Sequence, residues 1–105
     1  MVVEVNDVEL TEMLSNNEVV FVDYYASWCH PCQDILPNLE KISDKYPQVK
    51  FAKYDTDEHH DYSTKHNIID IPTMIIYKNG EEVNKLIGYK RVRKITDELD
   101  AILNK

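Results

Sequence analysis

The sequence predicts an α/β fold, a three-layer α/β/α sandwich whose central mixed sheet of about five strands is covered by about four helices. Three observations carry this. Val19–Tyr25 is a nearly unbroken apolar, β-branched and aromatic run, interrupted only by Asp23, as in a strand covered on both faces. From Cys32 to Tyr46, Ile35, Leu36, Leu39, Ile42 and Tyr46 recur at helical spacing. Finally, the segments alternate β-α-β-α-β-α-β-β-α, an order that gives parallel pairings through right-handed crossovers and then an antiparallel hairpin.

Val2–Val5 reads as a short first strand. Asn6, with Glu9 three residues on, has the pattern of a capping box and starts a helix that turns Leu10, Met13 and Leu14 inward. The Cys32–Tyr46 helix contains Pro37, which predicts a bend near its start. Val49–Asp55 alternates as a strand, and Glu58–His66 is a short, polar helix with little periodicity. Thr73–Lys78 is a further strand. Asn79-Gly80 is the pair that a tight type I′ turn prefers, so Glu81–Ile87 returns antiparallel to it. Val92, Ile95, Leu99, Ile102 and Leu103 stripe a terminal helix.

With 105 residues, 43% of them hydrophobic, the chain has the size of one domain spanning 1–105 and buries a core without a metal or disulfide framework. There is no repeat or linker; the 2 glycines and 4 prolines are scattered. A net charge of −7 disfavours nucleic acid and anionic lipid as partners. No stretch is apolar over the ~20 residues needed to span a membrane, and the first residues do not resemble an export signal, so the expected location is cytoplasmic. In that reducing compartment two cysteines point to redox chemistry or metal binding rather than a staple.

Cys29-His30-Pro31-Cys32 lies where the Val19–Tyr25 strand gives way to the helix. A helix N-terminus presents unpaired amides and a positive dipole end, which favour thiolate over thiol and make Cys29 the nucleophile. Cys32, within the first turn, can attack the mixed disulfide that Cys29 forms, leaving a Cys29–Cys32 disulfide. Pro31 suits a helix start, where no amide donor is lost. The competing reading is half of a zinc site. The four histidines do not support it: His59 lies far beyond the usual finger spacing from Cys32, and neither it nor His60 is suitably spaced from His66.

Phe21-Val22-Asp23-Tyr24-Tyr25-Ala26-Ser27-Trp28-Cys29-His30-Pro31-Cys32, then Ile71-Pro72-Thr73, Lys78-Asn79-Gly80 and Gly88, closely resemble the thioredoxin family along essentially the whole chain. The resemblance implies a protein-disulfide reductase without cofactor or bound metal, a monomer recycled by a flavin- or ferredoxin-dependent thioredoxin reductase and acting on oxidised proteins. It makes Cys29 the exposed attacking thiol and Cys32 the buried resolving thiol, with Trp28 shaping the docking surface. It also makes Pro72 a cis-proline, has Ile71 offer backbone hydrogen bonds to an extended substrate, and has Gly88 leave room for it. Asp23 becomes a proton acceptor and donor for Cys32, its pKa raised by desolvation, and Lys53 its buried partner on the same strand face as Val49 and Phe51.

The chain departs from the family at His30, where glycine is usual, and at Gln33, where a basic residue often follows the second cysteine. An imidazolium at His30 would stabilise the Cys29 thiolate and make the couple more oxidising, which keeps an oxidase or isomerase as the alternative. A redox-inert binding module and a glutaredoxin fit the motifs less well. Asp70 and Tyr89 stand where small side chains are common, so a narrowed substrate range and weaker docking of acidic partners are expected. His59, His60 and His66 read as a solvated helix face.

Overall fold

The computed structural model describes residues 1–104. Its elements are β1 (Val2–Glu4), α1 (Asp7–Asn16), β2 (Val19–Tyr25), α2 (His30–Lys45), β3 (Lys50–Asp55), α3 (Asp61–Lys65), β4 (Thr73–Lys78), β5 (Glu81–Ile87) and α4 (Val92–Leu103). The five strands are ordered β1-β3-β2-β4-β5. β1 and β2 run parallel to β3, and β4 runs antiparallel to both β2 and β5, giving the mixed sheet that the element order implies.

Because strand side chains alternate, the sheet divides the core in two. Phe21, Phe51, Met74 and Ile76 face α2 and α4, where they meet Ile35, Leu39, Ile95 and Leu99. Val20, Val22, Tyr24, Tyr54, Ile75 and Tyr77 face the other way, with Leu10 and Leu14 of α1 and with Tyr62 and Ile68 around α3. β2 lies in the middle of the sheet and is buried over six of its seven residues. Asp23 shares the parity of Val19 and Phe21, so it is carried to the face that α2 covers.

The second core contains a buried polar pair, the hydroxyls of Tyr24 and Tyr77, 2.6 Å apart. Removing one hydroxyl strands the other without water. Tyr77→Phe is expected to cost about 1–3 kcal/mol and Tyr24→Phe/Tyr77→Phe less than the two single changes summed. Urea unfolding of the four proteins measures this; strict additivity would remove the pairing argument.

Several local expectations hold in detail. The Asn6 side chain accepts from the Glu9 amide at 2.8 Å, while the Glu9 side chain accepts from the Asn6 amide at 3.0 Å. Asn79 and Gly80 have φ of 53° and 82°, the pair of left-handed residues that a type I′ turn requires. Others differ. The apolar periodicity of α2 starts only at Cys32, but the helix begins at His30 with Cys29 as its cap, where the cysteine motif places its N-terminus. It continues through Pro37 to Lys45, the proline leaving the Gln33 carbonyl without its helical amide donor. The helix expected over 58–66 shrinks to Asp61–Lys65, since Asp55 gathers the preceding residues into a turn: its carboxylate accepts from the Asp57 amide and its carbonyl from those of Glu58 and His59.

Candidate active site

The site sits at the carboxyl end of β2. Leaving that strand, the chain turns through Ala26-Ser27-Trp28, and Cys29 becomes the N-cap of α2. The Cys32 amide points at Cys29 Sγ from 3.4 Å. One of the orphan donors of the helix N-terminus is therefore aimed at this sulfur, and the dipole of a 16-residue helix acts in the same direction. Pro31, in the first turn, has no amide to leave unpaired. Cys29 and Cys32 form a disulfide, with Cα atoms 5.3 Å apart.

Ile71-Pro72 is a cis peptide that opens β4. Its bend brings the Ile71 carbonyl to 3.8 Å from Cys29 Sγ. The Gly88 amide donates to the Pro72 carbonyl at 2.7 Å, tying the end of β5 to the same loop. Gly88 has φ of 87°, and a Cβ there would meet nothing within 4 Å. Conformation rather than crowding demands glycine, and the space beside it is open to an approaching segment. Tyr89 is half exposed, its hydroxyl accepting from Asn38 Nδ2 at 3.4 Å. Trp28 is 70% exposed, yet its Nε1–H donates to Asp57 Oδ2 at 2.8 Å, so the ring is held as a fixed apolar surface.

Expectation and structure part at the cysteines. Cys29 was expected to be exposed and Cys32 buried, but they retain only 4% and 3% of their surface, so exposure does not separate them. Their surroundings do. Cys29 faces the Ile71 carbonyl at the docking loop, whereas Cys32 lines a small, partly open cavity of about 80 Å³ together with Asp23, Leu36 and Lys53.

Asp23 is 1% exposed, and its Oδ1 has no hydrogen-bond partner. Burial pushes its carboxyl up to about 7, against the opposing pull of the Lys53 charge. Lys53 departs from expectation. It neighbours Asp23 across the β2–β3 ladder but is only half-buried, and no ion pair joins them among the described residues. Its ammonium lies over the Tyr25 ring, 5.7 Å from the centroid. The flexible stem carries the charge towards the surface and leaves the carboxyl its desolvation.

His30 is largely exposed, and its Nε2 lies 3.6 Å from Asp34 Oδ2 one turn along α2. His66 corrects the expectation of a solvated histidine face: its side chain is 12% exposed and contacts Glu82 at 2.8 Å. Other residues contribute in ways that the sequence reading did not assign. Asp57 anchors Trp28 from 29 residues away, a distance no local pattern reveals. Gln33 Nε2 donates to the Ser27 carbonyl at 2.8 Å, bracing the turn before Cys29. Lys90 and Arg91 directly follow Tyr89 and have no ion-pair partner among the described residues, a basic run that was readable in the sequence.

Among the described residues no group of three or more His, Cys, Asp or Glu could hold a metal ion, and no helix is long and apolar enough to cross a membrane. A capped cysteine pair beside a cis-proline loop defines a thiol–disulfide oxidoreductase. Residues 1–101 match the family model described as thioredoxin. Thioredoxin-1 of Saccharomyces cerevisiae is 42% identical over 80 residues, covering 76% of this chain and 78% of its own. A solved Plasmodium falciparum thioredoxin superposes with a TM-score of 0.89 at 36% identity, covering 95% of this chain and 98% of that one. A bifunctional thioredoxin reductase/thioredoxin of Mycobacterium leprae is 33% identical over 103 residues, which cover 96% of this chain and 22% of that protein. The chain belongs to the thioredoxin family, and it is a thiol–disulfide reductase.

Proposed function

We propose that Cys29 attacks the disulfide of a protein segment laid against Ile71 and Pro72, and that Cys32 then resolves the mixed disulfide. In the first step the Cys29 thiolate bonds to one substrate sulfur, and the other leaves as a thiolate and takes a proton. In the second, Asp23 accepts the Cys32 proton; Cys32 bonds to Cys29, and the substrate leaves as a dithiol having gained two electrons. The observation that carries this order is the placement of the two sulfurs, Cys29 beneath the Ile71 carbonyl and Cys32 in the cavity with Asp23. Trapping tests it. Cys32→Ser is expected to accumulate a covalent mixed disulfide with an oxidised protein substrate, through Cys29, and to release little product. Absence of the Cys29 adduct in this variant, with Cys29→Ser trapping the substrate through Cys32 instead, would reverse the order.

The M. leprae fusion supports a thioredoxin reductase as the source of electrons that returns Cys29 and Cys32 to the dithiol, and the family resemblance implies a flavin- or ferredoxin-dependent one. A cytoplasmic location is supported by cysteine usage: both cysteines form the redox pair, leaving no structural disulfide for an oxidising compartment. We assign residues 1–105 to one domain acting as a monomer.

His30 favours a more oxidising couple as a second reading, through charge stabilisation of the Cys29 thiolate. His30→Gly is expected to lower the reduction potential of the pair, each 30 mV corresponding to about 1.4 kcal/mol. Asp34, 3.6 Å away, tempers the effect. Equilibration with a glutathione buffer measures the potential; identical values for the two proteins would retire the idea.

A further inference from the structure

The docking loop is held at its far end by the Gly88 amide, and what holds its beginning is His66. This residue ends α3, and the backbone then turns through Asn67, which has φ of 54°, into Ile68-Ile69-Asp70-Ile71. β5 grips His66 twice: Glu82 Oε1 lies 2.8 Å from its Nδ1, and Lys85 Nζ donates to its backbone carbonyl at 2.6 Å. The imidazole also packs edge-on against Tyr77 of β4 and parallel to the Tyr62 ring, with centroids 5.3 and 6.2 Å away. α3 has only five residues, none of them buried, so it cannot anchor the loop through apolar packing alone. Within the loop, Ile68 packs against the second core and its amide donates to the Ser63 carbonyl at 2.9 Å, while Ile69 is 87% exposed, so the loop's course depends on where it leaves His66.

We propose that His66 is a positioning residue for protein disulfides: held by Glu82 and Lys85, it fixes where the 67–72 loop starts and so presets the surface that receives the substrate beside Cys29. The inference rests on the reading of this loop as the docking platform. A platform fixed before binding spares the ordering cost that a mobile one incurs when the partner arrives. No sulfur, amide of α2 or carboxyl of the cavity is touched by the clamp, so the chemistry of the cysteine pair is independent of it.

Steady-state reduction of insulin, alongside reduction of the small neutral hydroxyethyl disulfide, tests the proposal. His66→Ala is expected to raise KM for insulin about tenfold while kcat and the hydroxyethyl disulfide rate stay within about twofold and the reduction potential is unchanged. His66→Gln, which keeps a side-chain donor for Glu82, recovers most of the loss. Lys85→Met removes only the tie to the carbonyl and is expected to raise KM in the same sense, which keeps the test decisive should His66→Ala fold poorly. An unchanged insulin KM in Lys85→Met and in folded His66→Ala overturns the proposal, as does an equal loss on both disulfides. Ile69→Asp separates the two ideas: if it raises KM and the clamp variants do not, only the clamp is wrong; if it leaves KM unchanged, the docking surface itself is misassigned.

Discussion

Cys29→Ser is expected to lower insulin reduction to less than about one-thousandth of the wild-type rate, with dithiothreitol as the electron source and the background subtracted. The attacking group must be an anion at neutral pH. A thiol at a helix N-terminus reaches that state because the Cys32 amide and the dipole of α2 stabilise the charge, whereas a serine hydroxyl in the same place stays protonated. No disulfide between Cys29 and Cys32 can form, so the two electrons have no route out of the protein. The substitution is well suited to isolating the chemistry from the fold. Serine is among the best N-cap residues, and its Oγ can accept the Cys32 amide as the sulfur does. The reduced variant should therefore unfold at a urea concentration no lower than the reduced wild type. Loss of activity with retained stability assigns the effect to the missing thiolate; appreciable turnover would mean that another group starts the exchange.

How much of this was legible in the sequence depends on the range of the interactions involved. The strands and the two long helices follow from apolar periodicity, which registers the face each segment buries, and the hairpin follows from Asn79-Gly80, since that turn needs two left-handed residues. The nucleophile and its resolving partner were readable because both lie within one helical turn. Across longer separations the pattern goes silent. That Lys53 would turn its ammonium to the Tyr25 ring rather than to Asp23 depends on a side-chain rotamer, which residue spacing does not encode. The Asp57 tie to Trp28 and the Glu82 tie to His66 join segments 29 and 16 residues apart through single polar contacts. His66 was misread for the same reason: beside His59 and His60 it looks like part of a polar surface, and only the β4–β5 hairpin folding over it removes it from water. The start of α2 was readable from the cysteine motif and Pro31 but not from periodicity, which begins only at the first inward apolar residue, while the helix begins at its cap.

Asp23→Asn should stabilise the protein by about 2–4 kcal/mol at pH 8 and by little at pH 4, while slowing disulfide reduction at neutral pH by about tenfold or more. The carboxyl is raised from its ordinary 3.8 to about 7 because burial penalises the charged form. Between those values the folded protein holds a proton that the unfolded chain has released. Unfolding then liberates that proton, so stability is fully present below about pH 4 and is lost as pH rises through 7. A rise from 3.8 to about 7, which already includes the opposing pull of Lys53, corresponds to about 4 kcal/mol at the alkaline end, an upper bound since relaxation around the cavity lessens the penalty. Asparagine has the same shape and never ionises, so it removes that slope. It also removes the base: with no group in the cavity to take the Cys32 proton, release of the mixed disulfide slows, and its pH dependence shifts towards that of an unassisted thiol. Stability and turnover thus move in opposite directions, which a merely structural carboxylate cannot produce. Urea unfolding at pH 4 and 8, with insulin reduction from pH 6 to 9, provides both readings. An equal stability change at the two pH values, or an unaltered rate profile, would show that Asp23 does not titrate in the cavity behind Cys32.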